Sequence, residues 1–103
     1  MLKVPSILRL IEDLELRFGP TAFQIIDHWS ADLRAIGIAS PTNARRLVYV
    51  LANEGGQSYD GAVEREPVLD SHFPYETSAE FHDLGLGELV ELIARLLVRW
   101  SAD

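Results

Sequence analysis

The sequence predicts an α+β domain in which a four-stranded antiparallel meander sheet is flanked by an N-terminal and a C-terminal helix. Three observations carry this expectation. Apolar residues recur at three- and four-residue spacing over Ser6–Phe18 and again over Leu86–Trp100. Between them lie four short stretches rich in Ile, Val, Leu and Tyr. The links between those stretches are brief and turn-forming, whereas a parallel crossover needs about a dozen residues or more. With 103 residues the chain is long enough for one core, so a single domain over 1–103 is expected.

In the first helix Ile7, Leu10, Ile11, Leu14 and Phe18 form the inward stripe, with Leu8 and Leu16 at its edges. Ser6 is the expected cap, and Gly19-Pro20 ends the segment. The strands are expected over Ala22–Asp27, Leu33–Ala39, Arg46–Ala52 and Ser58–Glu64. Gly37 within the second implies a bulge or a close backbone approach. In the fourth, Tyr59, Gly61 and Val63 point one way and Asp60, Ala62 and Glu64 the other. Glu66–Tyr75, with Pro67 and Pro74, reads as an extended linker. Thr77-Ser78-Ala79-Glu80 has capping-box spacing and predicts a short helix interrupted by Gly85 and Gly87, with His82 on an amphipathic turn. In the last helix Leu86, Leu89, Val90, Ile93, Leu97 and Trp100 face inward, while Glu88, Glu91, Arg95 and Arg99 face out. Both helices are expected on one side of the sheet, leaving a solvent face opposite.

Charge is divided unevenly. Residues 1–53 carry six bases and five acids, residues 54–103 three bases and eleven acids, for a net −7. A field of this sign repels nucleic acid and anionic lipid; it draws in a basic partner or, the simpler reading on charge alone, serves only solubility. No apolar run approaches the roughly 18 residues of a membrane span. The N-terminal segment carries no secretory pattern, so a cytoplasmic location is expected. There is no cysteine, which removes disulfides, thiolate nucleophiles and cysteine-based zinc sites.

Asp27-His28-Trp29-Ser30-Ala31-Asp32 is the densest cluster of reactive side chains. On a continuing strand Asp27 and His28 point to opposite faces, and no nucleophile motif accompanies them. The simpler reading is a bend in which the two aspartates accept backbone amide bonds and Trp29 buries its ring. His28, His72 and His82 lack metal-ligand spacing, so no metal or cofactor is expected. Asn53-Glu54-Gly55-Gly56-Gln57 has neither a following Lys nor a phosphate-loop pattern and reads as a hairpin turn. Tyr49 and Tyr59, on adjacent strands, can flank each other on one sheet face as core filler or as interface anchors, and core or half-buried packing is the default for both.

The string Ile25-Ile26-Asp27-His28-Trp29-x-x-Asp32-Leu33-x-Ala35-Ile36-Gly37-Ile38-Ala39, followed by Asn43-x-x-Arg46-Leu47-Val48-Tyr49-Val50 and Tyr59-Asp60-x-x-x-Glu64, resembles bacterial polymorphic-toxin immunity proteins of the Rhs and contact-dependent inhibition type. The similarity covers residues 23–64. It implies a non-enzymatic protein that binds a cognate toxin tightly and blocks its active site. Many such toxins are basic nucleases, which suits the acidic half of this chain.

The expected function is therefore neutralisation of a cognate, basic toxin through an acidic surface. The steering and contact acids would be Glu54, Asp60, Glu64, Glu66, Asp70, Glu76, Glu80 and Asp83, with Tyr59, Phe73 and Tyr75 as aromatic anchors. Two other classes fit the same residues: a small hydrolase-like enzyme using His28 with Asp27 or Asp32, and a structural subunit that self-associates through a strand edge or the last helix.

Overall fold

The computed structural model describes residues 2–65 and 76–102, with the backbone alone at 76–78. The chain is α+β, as the sequence predicts, but the antiparallel sheet has five strands. Helix α1 (Pro5–Phe18) precedes β1 (Gln24–Ile26), β2 (Ala35–Ala39), β3 (Leu47–Ala52), β4 (Tyr59–Arg65) and β5 (Glu76–Leu84), and α2 (Leu86–Ser101) follows. The strands pair in chain order, each antiparallel to the next.

The short helix expected at Thr77–Glu80 is β5 instead. Its local capping-box pattern yields to pairing with β4, whose outer edge would otherwise lack a partner. Packing supports the pairing: Phe81 stands opposite Gly61, and a Cβ on Gly61 would lie 2.5 Å from Phe81 Cζ and against the Tyr49 carbonyl oxygen. Gly85 does not interrupt a helix but caps α2, its amide donating to Glu88 Oε1 at 3.2 Å. The stretch read as a linker, Glu66–Tyr75, falls outside the described residues.

Alternation divides the sheet into two faces. Ile25, Ile36, Ile38, Val48, Val50, Ala52, Tyr59 and Val63 pack with Ile7, Leu10 and Leu14 of α1 and Leu89, Val90, Ile93, Leu96 and Trp100 of α2. Both helices therefore cover one side, as expected. In α1 the stripe is narrower than expected: Leu8 and Leu16 are exposed, and Phe18 lies at its margin. Ser6 is not the cap, because Pro5 opens the helix with Val4 as the extended residue before it. The Ser6 carbonyl instead accepts the buried Tyr59 hydroxyl at 2.8 Å, tying α1 to β4.

The opposite face is not wholly open to solvent. Ala35, Ala39 and Leu47 have no exposed surface there. The row Ile26, Gly37, Tyr49, Ala62, Glu80 runs across all five strands on this side. Gly37 is the close approach the sequence implied: a Cβ would stand 3.0 Å from the Ile26 carbonyl oxygen and 3.1 Å from Trp29 Cζ3.

Gly61→Ala should destabilise the fold by about 3 kcal/mol, because the added methyl meets backbone as well as a ring. Gly87→Ala on the open side of α2, where a Cβ meets nothing within 4 Å, should be neutral or stabilising by up to about 1 kcal/mol. Urea midpoints compare the two, and equal midpoints would contradict the Gly61 packing.

Candidate functional site

The bend between β1 and β2 is built around a residue the sequence reading passed over. Lys3 is 6% exposed, and its Nζ donates to Asp27 Oδ1 at 2.9 Å, the Trp29 carbonyl at 3.1 Å and the Asp32 carbonyl at 2.9 Å. An ammonium has three donors, and each finds an acceptor. The aspartates also take the role expected of them. Asp27 Oδ1 accepts the Trp29 amide at 3.2 Å, and Asp32 Oδ1 accepts the Arg34 amide at 3.0 Å. Because β1 ends at Ile26, strand alternation does not govern Asp27 and His28; the Lys3 ion pair positions Asp27 instead.

Trp29 leaves the bend to lie over Gly37, its ring 4.8 Å from that of Tyr49 at a 57° tilt. Exposed His28 meets the Trp29 ring edge-on at 5.7 Å. Burial, and secondly the charge of Asp32, raises the Tyr49 phenol above its ordinary value. An aromatic corner thus marks one end of the far face. Its signals in the sequence are Trp29 in a bend and Gly37 in a strand, since a missing Cβ leaves room for a ring.

Tyr59 belongs to a different surface. It pairs with Ala52 on the helix-covered side, whereas Tyr49 pairs with Ala62 on the far side. The two tyrosines do not flank each other. At 2% exposure, with its hydroxyl bonded to Ser6, Tyr59 is core and not a surface anchor.

The expected acids separate into groups. Glu54 is exposed in the β3–β4 hairpin. Asp60, Glu64 and Glu80 share the far face with Ala62. Asp83 is exposed at the end of β5, where two residues oppose one and its φ is 57°. Glu76 pairs with Arg65 at the start of β5. Glu66, Asp70, Phe73 and Tyr75 lie outside the described residues, as does His72. Exposed His82 is on β5, with its Nδ1 3.8 Å from Asp60 Oδ2 and its Nε2 4.0 Å from Glu80 Oε2. Among the described residues, no group of three or more His, Asp or Glu is placed to hold a metal ion.

Asp60 has a structural task besides its charge. Its Oδ1 accepts Asn53 Nδ2 at 3.0 Å and the Asp83 amide at 2.8 Å, joining the hairpin to the β5 bulge. These two bonds, with a smaller contribution from the charge of His82, hold its carboxyl below the ordinary 3.8. A depressed carboxyl contributes stability that is complete above the ordinary value and is lost as pH falls through the folded value. Asn53→Ala should therefore move the Asp60 midpoint upward in a carboxyl ¹³C NMR titration. An unmoved midpoint would show that the Asn53 bond is not the main cause.

No helix among the described residues is long and apolar enough to cross a membrane. No protein-family model, curated protein or solved structure matches this chain.

Proposed function

We propose that this protein is an immunity-type inhibitor that binds a basic protein toxin through the far face of its sheet. The carrying observation is the placement of Asp60, Glu64 and Glu80 together on β4 and β5, beside the corner formed by Trp29 and Tyr49. Acids at a rim raise the encounter rate with a basic partner, whereas tight binding needs rigid aromatic anchors that shed water. Both kinds of residue share one side of the sheet. The resemblance of residues 23–64 to immunity proteins supplies the partner class, and the charge excess supplies its sign.

In this reading Trp29 and Tyr49 replace Tyr59 as the described aromatic contacts. Glu64 and Glu80 are steering charges, while Asp60 also holds the bulge in place. The half-buried rings would lose little freedom on binding, because Trp29 already rests on Gly37.

The test is co-expression with the protein encoded beside this one, scored by co-purification and survival of the producing cells. Rescue is expected, and the association rate should fall by about tenfold or more between low and high salt. Glu64→Lys and Glu80→Lys should each slow association, while Arg95→Glu, on the exposed side of α2, should leave it unchanged. No rescue by well-folded protein would overturn the reading, and a salt-independent rate would remove its electrostatic half.

A further inference from the structure

We propose that the cleft between the start of α1 and the β3–β4 hairpin binds the phosphate group of a small phosphate monoester between Arg9 and Arg34. The cleft has a volume of about 440 Å³, and both arginines line it from separate parts of the chain. Ser6, Asn53, Glu54 and Gln57 are among the other lining residues. Read as sequence, Asn53–Gln57 lacks the cation a phosphate loop needs. The fold brings two arginine residues to the cleft wall, Arg9 from α1 and Arg34 from the position preceding β2.

Neither guanidinium makes a hydrogen bond or ion pair with another described residue, although the chain carries a net −7. Glu54 lines the same cleft without pairing to either. Two arginines brought to one concavity without a carboxylate partner among the described residues match a tetrahedral dianion. Its oxygens accept from two directions, whereas a planar carboxylate is filled by one guanidinium fork. The hairpin closes against the helix because Gly55 and Gly56 take left-handed φ values of 89° and 67°. A Cβ on Gly56 would stand 3.8 Å from Ser6 Oγ, so that hydroxyl borders the hairpin side. The volume lies within the range of small-molecule sites and leaves room for the organic part of a monoester. One cleft containing an acid, on a chain otherwise rich in acids, suits a small molecule and not a polyanion.

This inference is independent of the toxin-binding reading. It is tested by thermal melts with inorganic phosphate, glycerol 3-phosphate or acetate at matched ionic strength and neutral pH. Phosphate and the monoester should raise Tm saturably, and acetate should not. Arg9→Gln and Arg34→Gln should each weaken the apparent affinity for phosphate by about tenfold, with folding checked by circular dichroism. Glu54→Gln should tighten binding by about threefold, a gain that damaged folding does not produce. Absence of a saturable shift, equal shifts with acetate, equal shifts in the doubly substituted arginine variant, or no tightening in Glu54→Gln would each overturn the proposal.

Discussion

The Lys3 ammonium is the bolt on which the arrangement of this fold depends. It joins the chain start to the β1–β2 bend through one carboxylate and two carbonyl oxygens. One residue later the Val4 amide donates to the Leu33 carbonyl at 2.9 Å, and Pro5 begins α1. The axis of α1 is thus set against the bend before the helix begins. A buried ammonium is costly unless all its donors are satisfied, and removing it would take one bond from each acceptor, leaving Asp27, the Trp29 carbonyl and the Asp32 carbonyl to the Trp29, Asp32 and Ala35 amides. The same contacts direct Trp29 back over Gly37 and towards Tyr49.

From that corner the two sides of the sheet acquire different tasks. The helix-covered side is a continuous apolar core, and a hydroxyl link runs across it from Tyr59 to Ser6. The far side combines fully buried small and apolar positions with an aromatic corner and the acids Asp60, Glu64 and Glu80. Two glycines permit this division: Gly37 admits the Trp29 ring, and Gly61 admits Phe81 from β5. The proposed phosphate cleft depends on the same geometry, since its walls are the start of α1 and the hairpin leaving β3.

Much of the architecture was legible because periodicity reports which face of an element is apolar. The two amphipathic helices and the first four strands follow from that signal, as does the alternation of Tyr59 and Val63 against Asp60 and Glu64. β5 was hidden because Thr77–Glu80 mimics a helix start, and a β-strand at an edge is chosen by its neighbour. Core or half-buried packing of Tyr49 and Tyr59 was legible, but their placement on opposite faces depends on register, which sequence separation alone does not give. Lys3 was concealed most completely. Leu2 beside it is 78% exposed while Lys3 is buried, the reverse of what hydrophobicity ranks suggest. Its acceptors are two backbone carbonyls and a carboxylate more than twenty residues away, and no local pattern announces them. The acids were visible as a charge excess; their convergence on one face with Trp29 and Tyr49 required the sheet.

Amide hydrogen exchange in the native chain and in Lys3→Met tests the role of this bolt most directly. Loss of protection is predicted to concentrate at Val4, Trp29, Asp32 and Arg34, whose amides belong to the bend network, while central β3 and α2 keep theirs. Unchanged protection at Asp32 and Arg34 in a folded Lys3→Met variant would contradict the account, because the bend would then hold its shape without the ammonium.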